Sequence, residues 1–319
     1  MASKKDKYDF VILGAGGTGL AAAMYAARLG LKTLVLGKSS GSELPVGGVI
    51  TTTDSVENYP GFPKITGMEL AKKIEEHARE YELVTIKEEE AAKVEKGKEC
   101  FEVETSKGKY QASTILFATG TKWRKLDVPG SAEFERKGVA YCALCDAPLY
   151  KEKTVAVIGG SDSAVKDALV ISKYAKKVYV IARNEVRAEP INFEKLKSDK
   201  KAEIITKTSI KEIKGDSVVK SIVLDRPYKN QSELKVDGVF VAIGHIPMSE
   251  IAKSAGVQTD EKDEIIINHE NSETNIPGIF AAGDVTNKGF KQLITGVADG
   301  CTAAYYAYEY ITKNHIVPC

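Results

Sequence analysis

The sequence predicts an α/β chain of two Rossmann-like dinucleotide-binding domains, the second inserted into the first. Three observations carry that expectation. An apolar strand-type run over 8–13 ends in Gly14-Ala15-Gly16-Gly17-Thr18-Gly19, followed by an alanine-rich helical pattern over 20–30 and a strand over 32–36. The same order recurs as strand 154–158, turn Gly159-Gly160-Ser161-Asp162-Ser163-Ala164, helix 165–174 and strand 177–181, at an offset of 145 residues (159 minus 14). Near its end the chain returns to a strand that closes in Gly283-Asp284, so the outer domain draws on both termini. The expected boundaries are 1–121 with 245–319 for the outer domain and 122–244 for the inner one.

Strand, GxGxxG, helix, strand is the unit that seats a dinucleotide pyrophosphate. Gly14 permits the tight turn, Gly16 lets backbone approach the phosphates, and Gly19 lets helix and strand pack closely. The helix N-terminus then offers free N–H groups to the anion. In the second turn Ser161 stands where Gly16 stands in the first. That unit either binds a second dinucleotide or is a relic that binds none. Between the units lie a polar, turn-rich loop over 51–62 and a charged helix over 67–81. A hairpin over 101–104 and 109–111 closes at Lys107-Gly108. A strand over 114–117 then leads to Ala118-Thr119-Gly120 and a linker over 121–130. Beyond the second unit, 202–225 is strand-rich and 237–243 is a strand, ending at Gly244-His245-Ile246-Pro247, a linker back. A helix over 297–312 carries tyrosines at helical spacing, which reads as packing.

The stretch Tyr141-Cys142-Ala143-Leu144-Cys145-Asp146 carries the chemistry. Two cysteines at this spacing can close and reopen a small disulfide ring and so store two electrons. Asp146 is a titratable group placed to move protons as the sulfurs change state. The alternatives are two buried thiols or half of a zinc site, but zinc requires a second ligand pair. Cys100, Cys301 and Cys319 stand singly in the sequence and the four histidines are scattered. No metal is expected.

Composition narrows the classes of partner and location. With 45 basic and 44 acidic residues, the net charge of +1 calls for neither nucleic acid nor an anionic membrane. Residues 1–7 are polar and lysine-rich and lack the apolar core of a signal peptide. No apolar run is long enough to span a bilayer. Five cysteines in 319 residues is not a secreted disulfide scaffold. A cytoplasmic location is expected, where a CxxC pair is more often catalytic than structural.

In order along the chain, GAGGTG, TTT with VENYPGF, ATG, YCALCDAPL, GGSDSA, FVAIGHIP, and GIFAAGDV with KQLITGVADG cover nearly its whole length. In this set and order the chain resembles the low-molecular-weight thioredoxin reductases, flavoproteins with two dinucleotide-binding domains. The resemblance implies FAD in the outer domain. Gly14, Gly16, Gly17, Thr18 and Gly19 would hold its pyrophosphate, with Gly37, Lys38, Gly48, Thr51, Asn58, Thr119 and Gly120 nearby. Asp284 would hydrogen-bond the ribityl chain, Gln292 and Ile294 would cover the ring, and Gly283 and Lys291 would be further cofactor-binding residues. Asp284 could instead be a turn aspartate, and Gln292 a helix N-terminal residue. The inner domain would take NADPH through Gly159, Ser161, Asp162, Ser163, Arg183 and Arg187. Cys145 would face the flavin, Cys142 would attack the disulfide of thioredoxin or a similar protein, and Asp146 would handle the proton. The linkers would act as a hinge, and the assembly would be a homodimer.

Several positions depart from that pattern. Before Arg183, Ile181-Ala182 replaces a histidine and an arginine used for the 2′-phosphate; Ala182 is also not the acid of an NAD enzyme. Arg183 and Arg187 keep their spacing and could still clasp a phosphate, or form a solvated basic face. Some relatives take electrons from ferredoxin or a deazaflavin, which is the alternative donor. A flavin-binding redox sensor with little turnover is the alternative from another class. Gly37 lacks the glutamate common at this position, Val49 replaces a glutamine, and 39–46 is lengthened. Cys319 is either an extra redox thiol or a frayed end.

Overall fold

The computed structural model describes residues 6–38, 46–53, 56–98 and 100–314. The chain divides into two compact units, Met1–Lys122 with Ile246–Cys319, and Trp123–His245.

The first unit opens with β1 (Asp6–Leu13), α1 (Gly17–Arg28), β2 (Thr33–Lys38), α2 (Gly67–Arg79), β3 (Val84–Lys96), β4 (Phe101–Thr105) and β5 (Lys109–Phe117). Where the chain passes to the second unit lies β6 (Thr121–Trp123). The second unit contains β7 (Val139–Ala140), α3 (Ala143–Asp146), β8 (Thr154–Ile158), α4 (Asp162–Ser172), β9 (Lys177–Ile181), α5 (Pro190–Ser198) and β10 (Ala202–Ile205). It continues through β11 (Ile210–Gly215), β12 (Val219–Tyr228), β13 (Gln231–Lys235) and β14 (Gly238–Val241). The return strand β15 (His245–Pro247) pairs with β6, and the first unit finishes with α6 (Glu250–Ser254), β16 (Ile279–Ala281) and α7 (Leu293–Lys313).

In the first unit, parallel pairings run β3-β2-β1-β5-β16, with Phe10 beside Thr33 and Thr114. The far part of β3 pairs antiparallel with β4, and β4 with β5. The hairpin expected at Lys107-Gly108 is present, and the expected strand over 114–117 is the end of the longer β5. Because successive strand residues point to opposite faces, β1 feeds two cores. Val11 and Leu13 pack with Leu34, Leu36 and Ile115. Phe10 and Ile12 pack with Val35 and Leu116 against the alanines of α1 and α7. Tyr306, Tyr308 and Tyr310 of α7 pack on that second core, and Tyr305 is exposed.

The second unit repeats the plan. Its parallel sheet runs β10-β9-β8-β14-β7, and β11-β12-β13 form an antiparallel sheet. Val155 and Val157 pack on α4 through Ala164, Val165, Ala168 and Ile171. Ala156 and Ile158 face the antiparallel sheet through Ile213, Ile222 and Leu234. The fold is the expected pair of Rossmann-like units, one inserted into the other.

Candidate active site

The glycine turn of the first unit is shaped by close approach. Gly14 has φ +115, and a Cβ there would fall 2.2 Å from the Ala118 carbonyl oxygen. Its N–H donates to the Leu36 carbonyl at 3.0 Å. The N-cap of α1 is Gly16, which has no side chain to cap the helix, and the first turn carries no acidic residue. A Cβ on Gly16 would meet nothing nearer than the Gly47 carbonyl oxygen at 3.9 Å. Bare N–H groups beside open space are what a pyrophosphate requires. The Thr18 hydroxyl packs toward Gly283 and Gly296, so its anion contact would be its backbone N–H.

Around this turn, Gly37 and Lys38 end β2, while Gly48 and Thr51 lie in a 3-10 turn, Gly48–Thr52. The loop expected there is thus partly helical, and the Thr51 hydroxyl donates to the Gly48 carbonyl at 2.7 Å. Gln292 is the N-cap of α7 in a capping box with Thr295, and its Oε1 accepts from Asn58 Nδ2 at 3.0 Å. The helix-terminal role of Gln292 is therefore realised, and Ile294 sits on the first turn of the same helix. Thr119 donates its hydroxyl to the Met248 carbonyl at 2.6 Å, and Gly120 follows at φ +68. Lys291 engages all three ammonium donors within the protein: Glu264 at 2.6 Å, the Asp284 carbonyl at 2.6 Å and the Thr286 carbonyl at 2.8 Å. Asp284 follows Gly283, and its mostly buried carboxylate accepts no hydrogen bond among the described residues. Burial raises its pKa, opposed by Lys291 and helped by Asp299. A part-buried carboxylate with its oxygens free to accept suits the hydroxyls of a polyol chain. Together with the open seat at Gly16, it fits FAD. The lengthened stretch 39–46 lies almost wholly outside the described residues, as does Cys319.

The second turn repeats the flanking backbone hydrogen bonds of the first. Gly159 N–H donates to the Ile181 carbonyl at 3.0 Å, as Gly14 does to Leu36. A Cβ on Gly159 would fall 2.3 Å from the Ala242 carbonyl oxygen. The loop after the second strand returns to the turn in both units. Gly47 N–H donates to Ala15 O, and Arg187 N–H donates to Gly160 O, each at 2.7 Å. Arg187 therefore springs from beside the turn; its side chain and that of Arg183 are exposed and form no ion pair among the described residues. Ser161 is the N-cap of α4, and its Oγ accepts from Ala164 N–H at 3.4 Å. Asp162 pairs with Lys166 at 2.7 Å and accepts from Glu189 N–H at 2.9 Å and Asn192 Nδ2 at 3.1 Å. Those bonds hold its carboxyl below the usual range, Lys166 acting most strongly. Ser163 is exposed beside it.

Cys142 and Cys145 are joined as a disulfide, with Cα atoms 5.3 Å apart. Cys142 is the N-cap of α3, and its Sγ accepts from Cys145 N–H at 3.2 Å. Asp146 ends that helix and acts electrostatically on Tyr150, whose hydroxyl is pushed up to about 12, mainly by burial and then by Asp146 and Asp237. Leu144, between the two cysteines, and Leu149, just beyond them, are exposed apolar side chains.

A family model for pyridine nucleotide-disulphide oxidoreductases matches residues 8–300. The thioredoxin reductase of Bacillus subtilis is 36% identical over 318 residues, 98% of this chain and 97% of that protein. A 34.2 kDa protein in the rubredoxin operon of Clostridium pasteurianum is 39% identical over 313 residues, 97% of this chain and 98% of that protein. The crystal structure of thioredoxin reductase from Streptococcus pyogenes is similar with TM-score 0.85 and 34% identity, over 96% of this chain and 98% of that one. The chain belongs to the pyridine nucleotide-disulphide oxidoreductase family.

This oxidoreductase holds features near its cysteine pair that spacing alone did not reveal. Trp123 stacks on Tyr141 at 5.9 Å and lies 4.3 Å from His245, ring centre to ring centre. Tyr141 is bonded directly to Cys142, so the indole is tied to the redox segment. The engagement of Lys291 with Glu264 was equally illegible, since the partners lie 27 residues apart. The signal that could have been read is the N-terminal Pro190 of α5, which places Glu189 and Asn192 against Asp162.

Proposed function

We propose that this oxidoreductase passes electrons from NADPH through FAD to the Cys142–Cys145 disulfide, and from there to thioredoxin or a similar small dithiol protein. The observation that carries the reading is the closed disulfide with Cys142 at the start of α3. Bound FAD would supply the relay between a hydride donor and a sulfur pair. The chain's residues supply the rest. Opening the pair consumes two electrons and two protons. The backbone N–H of Cys145 already points at Cys142 Sγ, and a hydrogen bond to the charged form favours that form. Cys142 is thereby suited to be the attacking thiolate. It would displace one sulfur of the substrate disulfide, forming a mixed disulfide and releasing a substrate thiolate that Asp146 can protonate. Cys145 then attacks Cys142 Sγ, restoring the internal disulfide and releasing the reduced substrate.

Arg187, beside the Gly160 turn, and Arg183, on the same loop, support a 2′-phosphate and hence NADPH over NADH. A ferredoxin or deazaflavin donor is the second reading, favoured by the side chain of Ser161 at the second turn. Cytoplasmic residence and a homodimer belong to the same proposal; no described helix is long and apolar enough to cross a membrane.

Cys145→Ser should abolish thioredoxin reduction while FAD stays bound, and unchanged turnover would refute the assignment. Anaerobic mixing separates the donors. Bleaching of the flavin by NADPH supports the first reading; a flavin that stays oxidised with excess NADPH but bleaches with reduced ferredoxin establishes the second.

A further inference from the structure

The two glycine turns have nearly the same backbone and different contents. Gly16 has φ −77 and ψ 179; Ser161, at the matching position, has φ −87 and ψ 170. Flanking hydrogen bonds match as well, Gly14 to Leu36 with Gly159 to Ile181, and Gly47 to Ala15 with Arg187 to Gly160. Over Gly16 the protein leaves space, since a Cβ there would touch only the Gly47 carbonyl oxygen, at 3.9 Å. With the backbone superposed, the Cβ and Oγ of Ser161 project into the equivalent of that space. The Oγ also takes Ala164 N–H, at the helix position whose donor a phosphate would use. One helix thus opens with bare donors and a vacant seat, and the other with a seat its own side chain fills.

The carboxylate that follows Ser161 is also committed within the protein. Asp162 is locked by Lys166, Glu189 N–H and Asn192, which fixes the start of α5 against the start of α4. The loop between β9 and α5 is thereby held at its α5 end, by Arg187 N–H on Gly160 and by Glu189 N–H on Asp162. Arg183 and Arg187 lie on that held loop with their guanidinium groups exposed.

We infer that Ser161 is the residue that sets pyridine nucleotide affinity in this chain, by occupying the pyrophosphate seat of α4. The nucleotide is held chiefly through its adenosine 2′-phosphate on Arg183 and Arg187, so binding is weak and salt-sensitive. This rests on the reading of the second unit as a pyridine nucleotide site.

The test uses the FAD-loaded full chain and calorimetric titration with NADP+, which binds without reducing the flavin. A parallel titration uses adenosine 2′-monophosphate, which carries the 2′-phosphate but no pyrophosphate. Ser161→Gly should tighten NADP+ at least about tenfold and leave adenosine 2′-monophosphate within about twofold, because only NADP+ needs the seat. Ser161→Ala removes the Oγ cap and keeps the Cβ; it should recover only part of the gain. Thermal unfolding of each variant shows that α4 is still formed. An NADP+ affinity unchanged by Ser161→Gly, or an equal gain for both ligands, overturns the inference while leaving the nucleotide site standing. No binding of either ligand to either protein overturns the site and the inference together.

Discussion

Asp167 lies half-buried on α4, and burial alone pushes its carboxyl up to about 6 from the ordinary 3.8. An acid whose pKa is raised on folding keeps its proton longer in the native state than in the unfolded chain. Stability is therefore greatest below the unfolded pKa and is lost as pH rises through the window from 3.8 to about 6. A shift of this size corresponds to about 3 kcal/mol at full burial, and partial exposure brings that to about 1 to 2 kcal/mol. Asp167→Asn should stabilise the protein by that amount near about pH 8 and by nothing near about pH 3.5, read from urea midpoints at the two values. Residue-level legibility divides along the same line. Gly14, Gly16 and Gly19 are readable because a tight turn, an open anion seat and close helix–strand packing each require a missing Cβ at a fixed spacing. The state of Asp167 was not, because packing across α4 decides it. Nor was the full occupation of the Lys291 ammonium, which depends on residues distant in sequence.

At the scale of elements, α2 shows what local sequence can specify. Thr66 Oγ1 accepts from Glu69 N–H at 3.2 Å, and Glu69 Oε2 accepts from Thr66 N–H at 3.3 Å, a reciprocal capping box. The Thr66 hydroxyl, donating to Glu69 Oε2 at 2.9 Å, and then the Thr66 N–H hold the Glu69 carboxyl below its usual range. Thr66→Ala should cost about 1 kcal/mol, measured by chemical denaturation, with the loss concentrated in hydrogen-exchange protection of α2. Strands with continuous apolar runs, such as β8 and β9, were legible to the residue: 154–158 and 177–181. β3 was not. Its sequence VTIKEEEAAKVEK is charged and mostly half-exposed, because part of the strand leaves the parallel sheet to pair with β4. No period-two alternation survives that change of partner. The short α6 is equally illegible; five residues give too few turns to show a pattern.

At the scale of the molecule, the repeat is the most legible feature, since a fixed offset between glycine turns requires no knowledge of packing. Its recurrence in hydrogen bonds, Gly14 to Leu36 and Gly159 to Ile181, means each unit is built around its own turn. Ligand binding to a native state stabilises what the ligand touches. Stripping FAD should therefore lower hydrogen-exchange protection in β1, α1 and the first turn of α7, and leave β8, β9 and β14 as they were. Equal loss in both units would contradict the placement of FAD at Gly14 to Gly19.

The chain's single tryptophan has one more consequence. Trp123 lies against the rings of Tyr141 and His245, and Tyr141 is the residue before Cys142. Disulfides quench nearby indole emission and thiols do so less, so the protein carries a built-in optical gauge of its own sulfur chemistry. Its ultraviolet glow should brighten as a small dithiol such as dithiothreitol opens the ring at 142 and 145, with no dye attached and no thioredoxin present.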